Sequence, residues 1–193
     1  MKRLVILGGG YGGLKVIDGI LNKNLPNDIQ VVLIDQMPHH GLKTEYYALA
    51  AGTEPDSVVR VPFLNHNSLQ IKHGTVTDIL LRSNEIRFEN GETISYDWLV
   101  VGLGCTDRYH GIPGAEEYTH SIQSLSNTRR TYQAINNVGP YGDVTIVGGG
   151  LSGVELAAEL KDSRPDLNIR ILDRGPSILD PFPEKLKSYV RAW

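Results

Sequence analysis

Apolar and polar positions form one pattern twice along this chain. Residues 4–7 are an apolar run, a glycine cluster follows, and apolar residues at helical spacing continue to residue 21. This order predicts a strand, a tight loop and a helix. A second apolar run at 29–34 ends in Asp35, and because a helix separates the two runs, we expect them to lie parallel in one sheet. The same order returns at 143–173.

The glycines of both stretches have the spacing G-x-G-x-x-G. They are Gly8, Gly10 and Gly13, and then, 140 residues later, Gly148, Gly150 and Gly153. In such a set the first glycine permits a sharp turn, the second lets the backbone approach a pyrophosphate, and the third lets helix and strand pack closely. Asp35 and Asp173 end the next strands, where a carboxylate can bind a ribose. One match alone could be a glycine-rich turn that binds nothing, whereas two in this context predict two nucleotide sites.

The segment between the repeats has a different pattern. Short alternating runs at 76–81, 86–88 and 93–95 are separated by turn signals, which predicts a three-stranded antiparallel meander. The run 98–103 predicts a buried strand that returns to the parallel sheet and ends at Gly104. A helix is expected over 126–138.

Composition and charge narrow the function further. The 193 residues include 19 basic and 22 acidic side chains, which argues against nucleic acid as a partner. No apolar run reaches the roughly 18 residues of a membrane-spanning helix. Only three residues precede the apolar run at Leu4, too few for a signal peptide, so we expect a cytoplasmic protein.

Metal and thiol chemistry have little support in the sequence. Cys105 is the only cysteine, which excludes an internal disulfide, a dithiol pair and a zinc site with several thiolates. The histidines lack the spacing of metal ligands, so no metal is expected, and His39 and His40 are interpreted as a loop pair near a cofactor. We expect Cys105 to be an inert buried thiol, although its position directly after Gly104 could place it near a bound cofactor.

The chain resembles flavoproteins with two dinucleotide-binding domains, the pyridine nucleotide-disulfide oxidoreductase superfamily, and within it type II NADH dehydrogenase-like proteins of bacteria. The residues that carry the resemblance are VILGGGYGG, YDWLVVGLG, GIPGAEEY and IVGGGLSGVELAAEL. The resemblance implies an α/β fold: a Rossmann-like FAD/NAD(P)-binding fold with a parallel sheet and a small antiparallel meander, followed by a truncated second Rossmann-like unit. It assigns 1–106 to an FAD-binding domain, with the meander at about 74–97. It assigns 107–193 to a linker, a helix and a truncated NAD-binding domain whose core starts at 143.

The resemblance also implies cofactor contacts. The residues expected to face the FAD pyrophosphate are Gly8, Gly10, Tyr11, Gly12 and Gly13. Asp35 would bind the adenosine ribose, and the Val76 backbone would meet the adenine. The return strand ends in Gly-Leu-Gly rather than the family's Ala-Thr-Gly, so only Gly104 matches. Gly148, Gly150, Gly153 and Asp173 would bind NADH.

Two residues are candidates for a catalytic role. Lys43 stands where many relatives carry flavin-lining residues, and a lysine near the flavin N1–C2 edge would stabilise the reduced flavin. The alternative is a solvated loop residue. By the resemblance, Glu155 lies at the nicotinamide–flavin junction, and its alternative is a carboxylate that only complements a helix N-terminus.

The second repeat is followed by a single apolar helical stripe, formed by Leu186, Tyr189, Val190 and Trp193. A complete dinucleotide-binding half needs about three parallel strands. We therefore expect a fragment of a protein about twice as long, which exposes this stripe and forms a homo-oligomer.

The sequence thus predicts an FAD-dependent NADH dehydrogenase that transfers a hydride from NADH to FAD and onward to a quinone-type acceptor. Any contact with the cytoplasmic face of a membrane would belong to residues beyond this chain. The aspartates at both ribose positions, Asp35 and Asp173, favour NADH over NADPH because a carboxylate would repel a 2′-phosphate, and Arg174, directly after Asp173, weakens that preference. The alternative function is a non-catalytic nucleotide-binding module that serves in interaction or sensing.

Overall fold

A computed structural model describes residues 1–23, 26 and 28–192 of the chain. Its strands are β1 (Lys2–Leu7), β2 (Ile29–Asp35), β3 (His39–Gly41), β4 (Arg60–Pro62), β5 (Leu69–His73), β6 (Val76–Leu80), β7 (Glu85–Phe88), β8 (Thr93–Ser95), β9 (Trp98–Val101), β10 (Asp143–Val147) and β11 (Asn168–Leu172). Its α-helices are α1 (Tyr11–Leu21), α2 (Tyr46–Ala51), α3 (Ala115–Tyr118), α4 (Leu125–Asn136), α5 (Leu151–Ser163) and α6 (Glu184–Ala192). Trp193, the last residue of the expected stripe, lies outside the described residues.

These elements divide into two compact units. The first consists of residues 1–41 and 60–106, and the second of residues 42–59 and 107–193. Residues 42–59 therefore have their contacts in the second unit, although the sequence assigns them to 1–106. The division into an FAD-binding and an NAD-binding domain stays a prediction.

The first unit is built on a four-stranded parallel sheet in the order β5-β2-β1-β9. Its central strands β1 and β2 are covered on both faces, which explains their continuous apolar runs. The structure confirms β9 as a strand that returns to this sheet, but the expectation that it is buried is wrong. It lies at the edge of the sheet, with Trp98 and Val101 exposed. The fourth strand, β5, was not predicted.

Two apolar clusters cover the two faces of this sheet. On one face Ile6 and Leu33 pack with Ile17 of α1. On the other, Val5 and neighbouring sheet residues pack against Ile86 and the rest of the antiparallel sheet β6-β7-β8. The meander is thus confirmed, and alternate residues of β1 point to the helix and to the meander.

In the second unit, β10 and β11 form a parallel pair flanked by helices. Its core joins Ala50 and Ala51 of α2 to Ile135 of α4 and Leu160 of α5. The apolar segment YYALAA forms α2 because its buried residues face both longer helices, and Gly52, in the left-handed region at φ 81°, ends it. The predicted helix at 126–138 is confirmed as α4, which begins after the capping residue Ser124.

The last described helix, α6, covers the second unit only in part. It has no buried residue, and Tyr189 is 71% exposed. Tyr189 and Val190 line one side of a mainly apolar cavity of about 420 Å³, and Ile169 and Ile171 of β11 line the other. Homo-oligomer formation through this surface stays a prediction. Within the described residues, none of the helices has both the length and the apolar character needed to cross a membrane.

We expect Gly13→Ala to destabilise the first unit while Gly12→Ala does not. A Cβ at Gly13 would overlap the carbonyl oxygen of Gly8, whereas a Cβ at Gly12 meets no atom within 4 Å. Overpacking of this kind costs about 1–3 kcal/mol, while alanine for glycine in an open helical position gains at most about 1 kcal/mol. Thermal unfolding of both variants measures the difference. Equal unfolding temperatures for the two variants would contradict the close contact.

Candidate functional site

The loop between β1 and α1 turns sharply at its first glycine. Gly8 has φ 95°, a conformation that side chains rarely adopt, and its N–H donates to the Ile34 carbonyl at 2.8 Å. Gly10 is the N-cap of α1 in an extended conformation, and no side chain caps this helix. The first N–H groups of α1 have no partners within the helix, so the loop presents amides and a partial positive charge to an anion.

Glycine is required at some loop positions by packing and leaves open space at others. A Cβ at Gly8 would overlap the Gly102 carbonyl, and a Cβ at Gly13 would overlap the Gly8 carbonyl. At Gly10 and Gly12 an added Cβ would meet no atom within 4 Å. The loop is therefore compact toward the sheet and open beside the helix N-terminus, which is the space that a diphosphate would need.

Asp35, which was expected to bind a ribose, forms a hydrogen bond with the first glycine loop. Its Oδ2 accepts a hydrogen bond from the Gly9 N–H at 2.6 Å, and its Oδ1 accepts one from the Met37 N–H at 2.8 Å. A carboxylate has about four lone-pair sites, so capacity remains for ribose hydroxyls. The sequence predicted the ribose role, whereas the contact that ties β2 to the glycine loop was not anticipated.

The second loop repeats this geometry closely. The Gly149 N–H donates to Asp173 Oδ2 at 2.7 Å, and the Gly175 N–H donates to Asp173 Oδ1 at 2.6 Å. Gly150 has the same φ of −76° and ψ of −175° as the N-cap glycine of the first loop. A Cβ at Gly153 would overlap the Gly148 carbonyl, and one at Gly150 would meet nothing within 4 Å.

Both backbone hydrogen bonds favour the ionised form of Asp173. The pKa of this carboxyl is lowered from its ordinary value, first by the Gly149 N–H and then by the Gly175 N–H. The side chain is ionised at neutral pH and places a negative charge at the end of β11, beside the second glycine loop.

The two loops differ in the atoms that pack against their first glycine. Gly8 is backed by the Gly102 carbonyl, whereas no atom lies within 4 Å of a Cβ added at Gly148. The strand ends differ too: Leu7 is fully buried, whereas Val147 is 69% exposed. Among the described residues, the second sheet has two strands where the first has four. The first loop is thus the more completely supported of the two.

The candidate catalytic residues Glu155 and Lys43 both belong to the second unit. Glu155 lies in the second turn of α5 and is exposed, and its pKa is raised, first by partial burial of the carboxyl and then by the charge of Glu45. Burial, followed by Glu45, Glu155 and Glu159, also raises the pKa of Tyr47. Lys43 is exposed and begins a short 3-10 turn, Lys43–Glu45, before α2. Its role beside a flavin stays a prediction.

The other predicted site residues lie at element ends of the first unit. Val76 begins β6, Gly104 follows β9 with φ 76°, and Tyr11 begins α1. Cys105 is exposed, so the expectation of a buried thiol is wrong. Its polar position directly after Gly104 was a signal against burial, because the apolar run of β9 has ended there.

No group of three or more His, Cys, Asp or Glu side chains within 1–23, 26 and 28–192 could hold a metal ion. The interpretation of His39 and His40 as a loop pair is wrong, because both residues lie in the strand β3. Sequence reasoning also missed that the His40 ring is buried and contacts the first glycine loop through the Gly9 carbonyl. The only available signal was its position five residues after Asp35.

Curated relatives share the whole length of this chain. The NADH dehydrogenase-like protein YutJ of Bacillus subtilis is 51% identical over 100% of this chain and 54% of its own length. The type II NADH:quinone oxidoreductase of Staphylococcus saprophyticus is 25% identical over 98% of this chain and 53% of its own length. The chain thus spans about half the length of these relatives.

Solved structures share the fold. The sulfide:quinone oxidoreductase of Aquifex aeolicus matches with a TM-score of 0.79 and 22% identity, over 100% of this chain and 48% of that structure. NDH2 from Plasmodium falciparum matches with a TM-score of 0.79 and 18% identity, over 99% of this chain and 45% of that structure. These matches confirm the predicted α/β, Rossmann-like fold class.

The family resemblance drawn from the two glycine loops is confirmed by a match over residues 2–192. Since that match includes both units and both loops, the chain belongs to the pyridine nucleotide-disulphide oxidoreductase family.

Proposed function

We propose that this chain supplies the two nucleotide-binding loops of an NADH-dependent flavoprotein oxidoreductase, with FAD at Gly8–Gly13 and NADH at Gly148–Gly153. The observation that carries the proposal is the repetition of one loop geometry in both units. In each unit, the aspartate at the strand end accepts a hydrogen bond from a glycine N–H, and a glycine with open space beside it is the N-cap of the following helix. The names of the bacterial relatives, which include an NADH dehydrogenase-like protein and a type II NADH:quinone oxidoreductase, support the choice of cofactors.

The residues of the first loop fit the FAD diphosphate. Gly10 and Gly12 leave open space beside the uncapped N-terminus of α1, where backbone N–H groups can bind phosphate oxygens. Asp35 retains acceptor capacity for the ribose, and the backbone of Val76 would border the adenine. When bound, the flavin supplies the chemistry of hydride acceptance and onward electron transfer.

The second loop would select and orient the reduced nicotinamide nucleotide. Asp173 is ionised at neutral pH, and two backbone N–H groups stabilise its carboxylate and lower its pKa further. A 2′-phosphate on the ribose would be repelled by this charge, which favours NADH over NADPH. Arg174 is exposed beside it and would partly offset the repulsion.

Glu155 and Lys43 would act on the reacting groups. The raised pKa of Glu155 makes its carboxyl easier to protonate than an ordinary glutamate, which suits a group that holds a proton beside a redox reaction. Lys43 would oppose negative charge on the reduced flavin. The onward acceptor would be a quinone, in line with the names of several relatives.

A second candidate is a flavin-binding module that does not turn over NADH. It is favoured by one observation, the exposure of the second sheet at Val147 and Leu172, 69% and 60% respectively. The two functions separate in one measurement, because only the oxidoreductase loses its flavin absorbance near ~450 nm when NADH is added.

We expect Gly10→Val to abolish flavin retention without destabilising the protein. The extended backbone at Gly10 suits valine, and a Cβ added there meets no atom of the described residues within 4 Å, so the side chain would enter the space assigned to the diphosphate. Gly150→Val is the matched control, since it has the same backbone angles and should weaken NADH binding while the flavin remains. Flavin absorbance of the purified variants, together with thermal unfolding, tests this. A Gly10→Val variant as yellow as the parent would place the flavin elsewhere.

We expect Glu155→Gln to slow reduction of the bound flavin by NADH at least about tenfold, which corresponds to ~1.4 kcal/mol of barrier. Stability should not fall. Because the folded-state pKa of Glu155 is raised above the ordinary 4.5, ionisation of this carboxyl lowers stability as pH rises through that window. The glutamine variant should therefore unfold at the same or a slightly higher temperature at pH 7, and the difference should vanish below pH 4.5.

Stopped-flow absorbance and thermal unfolding measure the two effects. Glu117→Gln, on an exposed position of α3, controls for removing a carboxylate. A large loss of unfolding temperature with an unchanged reduction rate would show that Glu155 serves the fold instead.

A further inference from the structure

Both polar groups of Gly9, the middle residue of the first glycine triplet, are held by side chains. Its N–H donates to Asp35 Oδ2 at 2.6 Å. Its carbonyl oxygen lies 2.9 Å from Nδ1 of His40, which is only 4% exposed. His40 lies in β3, which pairs antiparallel with β4, so the ring is placed by a small sheet of the first unit.

The partner of His40 determines its tautomer. A carbonyl oxygen can only accept a hydrogen bond, so Nδ1 must carry the proton that it donates to Gly9. Tyr11, the first residue of α1, packs edge-on against the His40 ring, with ring centroids 4.7 Å apart and planes at 84°. His40 therefore contacts the loop at Gly9 and the start of the helix at Tyr11.

The orientation of the Gly9 carbonyl decides the orientation of the next amide. In a trans peptide the C=O of one residue and the N–H of the next point in opposite directions, and the structure has no cis bond among the described residues. Since the Gly9 carbonyl points to His40, the Gly10 N–H points away from it. This amide belongs to the glycine that leaves open space beside the helix N-terminus.

In the second loop the equivalent carbonyl is held by a backbone N–H group and not by a side chain. The Gly149 carbonyl accepts a hydrogen bond from the backbone N–H of Leu179 at 2.7 Å, while the Gly149 N–H donates to Asp173. Leu179 is buried and has a φ of 53°, a conformation unusual for leucine. Two unrelated donors thus hold the equivalent carbonyl in both loops, which indicates that the loop geometry needs this contact.

We propose that His40 is a positioning residue of the first nucleotide site: its Nδ1–H holds the Gly9 carbonyl and thereby aims the Gly10 amide at the diphosphate. The inference rests on the proposed function, in which the first loop binds the diphosphate of FAD. It adds a residue that acts on the diphosphate through the backbone and not on the adenosine part of the ligand.

The experiment compares His40→Leu, His40→Asn and, as control, His120→Leu, which removes an exposed histidine. The 193-residue chains, free of flavin, are titrated with ADP, which has the diphosphate, and with adenosine, which lacks it. His40→Leu should weaken ADP binding about tenfold and change adenosine binding less than about twofold. Loss of this hydrogen bond leaves the buried Gly9 carbonyl without its donor, at a free-energy cost that corresponds to about a tenfold change in affinity. His120→Leu should bind both ligands as the parent does.

Asparagine tests whether the hydrogen bond itself is responsible. Its side-chain nitrogen is bonded to Cγ as Nδ1 is in histidine, so His40→Asn can donate to the same carbonyl and should bind ADP within about threefold of the parent. Equal loss of ADP and adenosine in His40→Leu would indicate general damage and overturn the inference. So would ADP binding by His40→Leu that equals binding by the parent.

A measurement on the unsubstituted chain does not depend on any variant folding. Long-range proton–nitrogen NMR should show the His40 ring protonated at Nδ1, and a neutral ring protonated at Nε2 alone would overturn the inference. If the parent binds FAD and ADP but His40→Leu loses no ADP affinity, only the role of His40 fails. If the parent binds neither, the proposed function fails and this inference fails with it.

Discussion

In each loop, the last glycine of the G-x-G-x-x-G spacing lies against the carbonyl oxygen of the first glycine. Both sites depend on this contact. At Gly13 and Gly153 no side chain fits, since even a Cβ would overlap the carbonyl oxygens of Gly8 and Gly148. This contact brings the helix so near to the strand that the helix N-terminus stands directly over the turn. The uncapped amides and the positive end of the helix dipole are thereby placed where a phosphate can reach them.

The strand-end aspartates stabilise this arrangement from the next strand. Each aspartate accepts two backbone hydrogen bonds. Asp35 accepts them from Gly9 and Met37, and Asp173 accepts them from Gly149 and Gly175. In the proposed function the same carboxylates would also bind ribose, so one side chain per unit would both order the loop and contact the ligand. A substitution there would affect loop geometry and ligand affinity together.

The two units use this shared plan with different supports. The first loop is backed by the Gly102 carbonyl and by His40, whereas the second has its middle carbonyl held by the Leu179 backbone and no atom close behind Gly148. In the first unit, covered strands on a four-stranded sheet support the loop. In the second, the strand ends are exposed, and support comes from helices α2, α4 and α5 around a separate core.

The glycine loops, the strands on either side of them, the meander and the family could all be predicted from the sequence, because each of these depends on local spacing. A strand buried on both faces needs an apolar run, and a phosphate loop needs glycines at set intervals. Other features could be read only from the folded chain: residues 42–59 pack in the second unit, β5 joins the first sheet, β9 lies at its edge, and His40 contacts Gly9. These features depend on which surfaces meet after folding. The short strand β5, in which Leu69 and Ile71 alternate with polar residues, and the histidine pair carry no local pattern that identifies their partners.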